Sequence, residues 1–158
     1  MKERANSQLT SLRATAAVAL TTLLLATAVT RSASIQAAAQ GSATLAAGAY
    51  SPAQQKRGAV IYNRECSTCH GETLEGGEGS PPLAGATFRA SYGGRTVADL
   101  FDKIRTTMPA PPEQPGKLTA QENADVVAHI LSVNGFRAGD RELTTDLEEL
   151  KRLVIPPK

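Results

Sequence analysis

The stretch "RECSTCHGETL" (Arg64–Leu74) contains the only two cysteines of this 158-residue chain. Cys66 and Cys69 are three positions apart, and His70 follows the second cysteine directly. A disulfide, half of a zinc site, a thiol redox pair and the anchor of a covalently bound group would each use such a pair. The rest of the sequence therefore has to distinguish these four kinds of site.

The N-terminus has the order of an export signal. A polar start that carries basic residues precedes an uncharged apolar run, "ATAAVALTTLLLATAV" (14–29), and small residues follow it. We expect a cleaved signal peptide of residues 1–39, with a cut after Ala49 as the alternative. A retained membrane anchor is a second interpretation, although the run is shorter than the roughly 20 residues of a membrane-spanning helix. The sequence thus predicts a periplasmic protein, bound to the membrane only if this segment is retained.

The charge balance changes once the predicted signal is set aside. Four of the 17 basic and one of the 15 acidic residues precede Gln40, so the remaining 13 and 14 give a net charge of −1. No basic stripe of the kind that binds nucleic acid is left. The remaining chain has no Trp, three Phe and three Tyr, and a core this poor in bulky side chains favours a large buried cofactor as a staple.

Capping signals predict an all-α domain. Ser51-Pro52 is typical of a helix start, after a flexible leader at 40–51, and this helix runs into the cysteine motif. Thr96-x-x-Asp99 and Thr119-x-x-Glu122 have the spacing of capping boxes and open two further helices. Thr145-x-x-Glu148 predicts a short last helix.

Apolar stripes and helix breakers complete this pattern. Residues 71–95 are rich in glycine and predict a loop with a short helical turn. The loop "MPAPPEQPG" (108–116) holds four prolines, and Asn134-Gly135 ends the last main helix. Helical spacing places two sets of apolar residues on one face each, namely Val97, Leu100, Phe101 and Ile104, and Val126, Ile130 and Val133.

His70 separates the four kinds of site. A structural zinc site needs four ligands, and the chain has only one other histidine, His129. Thiol redox pairs usually lie on a βαβ framework, which is missing here. C-x-x-C-H is the attachment sequence for c-type haem: Cys66 and Cys69 would form thioethers, and His70 would face the iron. An exported non-haem domain with a Cys66–Cys69 disulfide is the alternative.

The second axial position of the iron decides the function. Met108 is the only methionine besides Met1, and it stands at the start of the proline-rich loop. Met/His ligation raises the potential of haem iron, so Met108 is the candidate sixth ligand and His129 its competitor. A closed site predicts an electron carrier, whereas a site from which Met108 dissociates predicts a haem peroxidase or a gas sensor.

The chain resembles the class I c-type cytochromes. The elements that carry this resemblance are "RGAVIYNRECSTCHGETLEGGEGSPPLAG", "RTVADLFDKIRTTMP" and "LTAQENADVVAHILSVNG", within residues 52–135. The resemblance implies a few helices wrapped around one covalently bound haem, and it leaves 136–158 as a C-terminal extension. It also implies a crossing of the first and last helices, where Gly58 and Tyr62 would meet His129 in place of the family's usual aromatic residue.

The resemblance implies further contacts to the haem. Pro81 matches the family proline whose carbonyl accepts a hydrogen bond from the axial histidine, although Ser80 replaces the usual glycine before it. Tyr92 and Arg95 are candidates for binding a haem propionate. The apolar residues Val97, Leu100, Ile104, Val126 and Ile130 would keep water from the iron.

The expected function is periplasmic electron transfer by one haem, without catalysis. The short segments "TTMP" and "NGFRAG" are similar to sequences found in cytochrome c partners or subunits of quinoprotein (PQQ-dependent) dehydrogenases. We therefore expect redox partner proteins, with a dehydrogenase upstream and an oxidase or another cytochrome downstream. Such redox encounters are usually weak and transient.

Overall fold

A computed structural model of the chain describes Leu45, 48–77, 79–111 and 115–157. These ranges contain six helices and no strand, only two isolated β-bridges, so the fold is all-α as the sequence predicts. None of these helices is long and apolar enough to cross a bilayer. The predicted signal peptide lies outside the described residues. The helices are α1 Pro52–Glu65, α2 Ser67–His70, α3 Gly85–Tyr92, α4 Val97–Thr107, α5 Ala120–Val133 and α6 Leu147–Leu150.

The three longest helices begin at the predicted caps. The Ser51 hydroxyl accepts a hydrogen bond from the backbone N–H of Gln54, and Pro52 is the first helical residue of α1. Thr96 with Asp99, and Thr119 with Glu122, form complete capping boxes in front of α4 and α5. Each box satisfies backbone N–H groups that the first helical turn leaves unpaired, so these helix starts are encoded locally.

Helices α1 and α5 cross at Gly58. A Cβ atom added at Gly58 would lie only 1.8 Å from the carbonyl oxygen of Asp125, so the backbones meet at a distance that excludes any side chain. One turn further along, the rings of Tyr62 and His129 pack with centroids 5.3 Å apart. The predicted meeting of Gly58 and Tyr62 with His129 is confirmed.

Helix α4 and most of the α5 stripe form the core. All four predicted apolar residues of α4, from Val97 to Ile104, are buried, as are Val126 and Ile130 of α5. The prediction for Val133 is wrong, because its side chain is 44 % exposed. It occupies the last position of α5, beyond the part of the helix that packs on the core.

Two short helices differ from the expectation. Residues 85–92 form the two-turn helix α3, which buries Phe88 in the core, where the sequence predicts mainly loop. Ala84 precedes this helix without a side-chain cap, so no local signal marks its start. The last helix begins at Leu147, capped by the carboxylate of Asp146 rather than by Thr145.

The segments before α1 and after α5 pack together, and we call Leu45, 48–51 and 136–157 the terminal clasp. Leu45, Tyr50 and Leu143 are buried. The Tyr50 hydroxyl donates to the carbonyl of Phe136, and Gly139 N–H donates to the carbonyl of Tyr50 over 2.7 Å. These contacts contradict the expectation of a flexible leader for Leu45 and Tyr50, because long-range packing orders residues that carry no local signal.

The C-terminal part of the terminal clasp returns to α1 and α4. The carboxamide of Gln54 donates to the Leu143 carbonyl over 3.0 Å and accepts from Leu143 N–H over 2.6 Å. Ile155 is fully buried, and its backbone exchanges hydrogen bonds of 2.9 and 2.8 Å with Arg95 and Gly94. The 136–158 extension is therefore an integrated part of the fold as far as residue 157.

Candidate functional site

A cavity of about 490 Å³ opens between the cysteine motif, the loop 79–83, the start of the proline-rich loop and one face of α5. This volume lies within the range of roughly 300–1,000 Å³ that is typical of sites for small molecules and cofactors. Cys66, Cys69, His70 and Met108 all line it. The fold thus gathers in one place four residues that are up to 42 positions apart in the sequence.

The cysteines lie at the junction of α1 and α2. Cys66 N–H donates to the Tyr62 carbonyl over 2.8 Å, which closes α1, and the Cys66 carbonyl accepts from His70 N–H over 2.9 Å, which holds the turn of α2. Both thiols are free in the structure, Cys66 half-buried and Cys69 exposed. Burial, with a smaller effect of the Glu65 charge, raises the pKa of the Cys66 thiol to about 11. A thiol redox centre needs a lowered pKa, so this environment argues against one.

The imidazole of His70 is held by the Pro81 carbonyl. The side chain is buried, and its Nδ1 lies 2.9 Å from the Pro81 oxygen. Because a carbonyl only accepts, the hydrogen must be on Nδ1, and the Nε2 lone pair remains available for a metal. The structure thus brings Pro81 to the partner position that the resemblance implies.

Met108 is held by its backbone on both sides. It caps the C-terminus of α4, with its N–H donating to the Ile104 carbonyl over 3.0 Å, and its carbonyl accepts from Gly116 N–H over 3.2 Å. The second bond ties the two ends of the proline-rich loop together. The partly buried Met108 side chain therefore reaches the cavity from a fixed backbone position.

His129 does not line the cavity. Its ring packs on Tyr62 at the crossing of α1 and α5, and its buried Nδ1 has no hydrogen-bond partner. Burial lowers the pKa of His129, which favours the neutral imidazole. The geometry assigns His129 to helix packing rather than to the competing ligand position.

The structure does not bring Tyr92 and Arg95 to the cavity. Tyr92 stacks on Phe88 with centroids 5.3 Å apart, and the Arg95 guanidinium lies 5.4 Å from the centre of the Tyr92 ring. Arg95 also lies 3.7 Å from the carboxylate of Asp99. These contacts occupy both side chains, so the geometry does not favour their predicted contact with a propionate.

The cavity lining contains charged residues that the sequence analysis does not single out. Arg64, Glu65 and Lys117 contribute to it. Glu65 pairs with Lys117 and, at 2.7 Å, with Arg64, and these two partners lower its pKa in that order. The position of Arg64 and Glu65 directly before Cys66 is the sequence signal that could have identified two of the three.

The apolar lining agrees only in part with the expectation. Ile104, Val126 and Ile130 line the cavity together with Leu83, as apolar groups that can exclude water. Val97 and Leu100 are buried in the core instead. A cavity with thiols at one edge, an imidazole nitrogen free to bind a metal, a thioether and an apolar wall fits a c-type haem.

The comparison with protein-family models gives the same result. Residues 53–130 match the family model described as cytochrome c oxidase, cbb3-type, subunit III. Among solved structures, the crystal structure of the sulfane dehydrogenase SoxCD from Paracoccus pantotrophus is similar, with 22 % identity and a TM-score of 0.49. That match covers 64 % of this chain and 52 % of the other, so the chain spans about half of that protein's length. No curated protein matches the chain.

The family match covers α1, α2, α3, α4 and most of α5, and it therefore includes every residue that lines the cavity. The cysteine motif and the helical fold around the cavity agree with it. Residues 53–130 thus form a class I c-type cytochrome domain, which carries covalently bound haem and transfers electrons.

Proposed function

We propose that this chain is a periplasmic electron carrier with a single haem and no catalytic activity of its own. Cys66 and Cys69 hold the haem through thioether bonds, and His70 and Met108 are the two axial ligands. The observation that carries this proposal is the convergence of these four side chains on one cavity of about 490 Å³.

The bound haem supplies a one-electron couple, Fe(III)/Fe(II), and the protein controls its surroundings. The Pro81 carbonyl orients His70 and makes its imidazole a stronger donor. The backbone bonds of Met108 hold the thioether at the mouth of the proline-rich loop. Ile104, Val126 and Ile130 exclude water from the cavity, so that no third molecule competes for the iron.

Electrons would enter and leave near the cysteine motif. Cys69 and Pro81 are exposed while lining the cavity, which brings one edge of the cavity to the surface. A donor, such as a quinoprotein dehydrogenase, and an acceptor, such as an oxidase or another cytochrome, would dock there in turn. Contacts of this kind are small and short-lived.

Export and domain limits are part of the proposal. Residues 1–39 are a signal peptide, 52–135 form the haem-binding domain and 136–158 extend it. The burial of Leu45 in the terminal clasp supports a cut after Ala39 rather than after Ala49, because the later cut would remove Leu45. Only retention of the N-terminal segment would attach the protein to a membrane.

Covalent attachment is tested by producing the full chain in a host that matures c-type cytochromes. After denaturation and acid–acetone extraction, the pyridine haemochrome spectrum of the wild-type protein should show one haem per chain. A Cys66→Ala/Cys69→Ala variant should lose that haem. Haem-free wild-type protein, or haem that is retained by the double variant after extraction, would contradict the proposal.

The axial ligands are tested with matched variants. His70→Ala should abolish the low-spin haem spectrum, whereas His129→Ala should keep it, since the latter ring lies at the helix crossing. Met108→Ala should remove the weak long-wavelength charge-transfer band of methionine-ligated ferric haem. Absence of that band in the wild-type protein at neutral pH would instead favour the open site of a peroxidase or a gas sensor.

A further inference from the structure

The carboxamide of Asn134 is buried at the end of α5. The sequence accounts for Asn134 as a helix end, but a residue with only that role can leave its side chain in water. Here the residue is 5 % exposed. Its Oδ1 accepts from Gly85 N–H over 3.0 Å, and its Nδ2 donates to the carbonyls of Leu83 and Ile130, each over 2.9 Å. The side chain therefore joins α5 to the backbone of the loop that precedes α3.

The orientation of this carboxamide is fixed by its partners. Gly85 N–H can only donate and the Leu83 carbonyl can only accept, so a flipped amide would face like groups on both sides. Both hydrogens on Nδ2 and one lone pair on Oδ1 are used. Such a group holds a specific backbone geometry, because any other arrangement leaves buried polar atoms unpaired.

Leu83 is two residues from Pro81, the residue that binds His70. The connection between them is stiff, since the rings of Pro81 and Pro82 restrict the backbone. The loop is also held from the other side, where Leu83 N–H donates to the Leu74 carbonyl over 2.9 Å. A shift of the Leu83 carbonyl therefore moves the Pro81 carbonyl with it.

Among the described residues, the Pro81 carbonyl is the hydrogen-bond partner found for the His70 ring. We propose that Asn134 is a positioning residue for this histidine: its carboxamide sets the Leu83–Gly85 backbone against α5 and thereby the hydrogen bond from His70 to Pro81. The inference rests on the proposed role of His70 as an axial ligand. Asn134 touches neither the histidine nor the cavity.

The experiment uses the haem-loaded full chain and an Asn134→Leu variant of similar volume. Gln54→Leu is the matched control, because Gln54 is also a buried carboxamide that pairs in both directions with backbone groups, in its case those of Leu143. Gln54 lies in the terminal clasp interface and not at the cavity. Both variants should lower the midpoint of unfolding by similar amounts.

Two readouts separate positioning from stability. In the ferrous protein, proton NMR should show solvent exchange of the His70 Nδ1–H at least about tenfold faster in Asn134→Leu than in the wild type. The reduction potential should rise, because a weaker hydrogen bond makes the imidazole a poorer donor to the ferric iron. Gln54→Leu should leave both readouts at their wild-type values.

The inference is overturned if Asn134→Leu leaves exchange and potential unchanged, or if Gln54→Leu changes them equally. Should Asn134→Leu fail to accumulate, Asn134→Asp keeps the acceptor for Gly85 but loses the two donated bonds, and it should show the same changes. The wild-type protein provides a measurement without any variant. With rising denaturant, the Asn134 Nδ2 and His70 Nδ1 protons should lose protection together, and separate loss would contradict the inference. Haem-free wild-type protein would refute the proposed function instead.

Discussion

The cavity and the terminal clasp differ in how their polar groups are satisfied. At the cavity, the two thiols, the Nε2 atom of His70 and the Met108 thioether face space that the chain itself does not fill. In the terminal clasp, the backbone of Leu143 pairs with the Gln54 carboxamide of α1, and the backbone of Ile155 pairs with Arg95 and Gly94. One region is complete only with its haem, and the other is complete alone. Redox properties and stability should therefore respond to different residues.

The largest effect is expected from removing residues 139–158. The truncation exposes the pockets of Leu143, Leu150 and Ile155, all buried, and burial of each is worth about 2 kcal/mol. The loss of about 6 kcal/mol is comparable to the whole stability of many domains. Denaturant unfolding of the haem-loaded protein measures it, and an unchanged midpoint would show that the clasp is not structural.

Leu150→Ala provides a milder version of that test if the truncated chain does not accumulate. A cost of about 3 kcal/mol is expected for this buried leucine. Lys151→Ala, at the neighbouring exposed position, is the control and should leave the midpoint nearly unchanged. Neither variant should alter the reduction potential. A changed potential in Leu150→Ala would show that the terminal clasp affects the haem site.

Met108→His should mainly change the reduction potential. Replacing the proposed thioether ligand by an imidazole would remove a group that raises the potential of haem iron, and axial ligands span about 0.8 V overall. A fall on the order of 0.1 V is expected, equivalent to about 2.3 kcal/mol. Spectroelectrochemical titration measures it. An unchanged potential would mean that Met108 is not bound to the iron.

Thr96→Ala and Thr119→Ala compare the same capping box in the two regions. Each variant removes the hydrogen bond that the hydroxyl accepts from the helix backbone and the one that it donates to the box carboxylate, and it should cost about 1 kcal/mol. Thr96 is bridged to Val154 of the terminal clasp, whereas α5, which Thr119 caps, lines the cavity. Equal losses in thermal unfolding with unchanged potentials are expected. A reduction potential that changes only in Thr119→Ala would show that the N-terminus of α5 is coupled to the cavity.

The smallest effect is a pH dependence from His129. Because burial lowers its pKa in the folded protein, the unfolded chain binds the proton first as the pH falls below about 6.5. The contribution of His129 to the free energy of unfolding is therefore fully present above that pH and decreases in acid. His129→Phe should reduce the difference between unfolding midpoints at about pH 7.5 and about pH 5.5. If the midpoints differ equally between the two pH values in the wild type and in His129→Phe, other groups cause the acid sensitivity.

The features that the sequence predicts well are local ones. Ser51, Thr96 and Thr119 each bond to a backbone group three residues away, so the signal and its partner fall within one short window. The cysteine motif is similarly compact. Met108 lines the same cavity, and two clues single it out in the sequence: it stands at the start of the proline-rich loop, and the predicted mature chain offers no other thioether.

The features that it misses depend on distant partners. Gln54 and Leu143 are 89 residues apart, and no local sequence signal predicts the hydrogen bonds between them. The sequence therefore predicts a flexible leader and assigns no role to the C-terminal extension. Tyr92 and Arg95 fail for a different reason. Their side chains are occupied by partners only four residues away, Phe88 and Asp99. The contact between Tyr92 and Phe88 depends on the helix α3, whose start carries no side-chain cap.

The two backbone bonds of Met108 bear on the speed of electron transfer. An electron moves fast when the bonds and dipoles around the metal need little rearrangement between the two oxidation states. Releasing the proposed thioether ligand by moving its backbone would require opening the C-cap of α4 and the bond to Gly116. The hydrogen bond from His70 to Pro81 restrains the imidazole, the other proposed ligand. If His70 and Met108 bind the iron as proposed, the fold would keep the reorganisation energy low by fixing both side chains before the electron arrives.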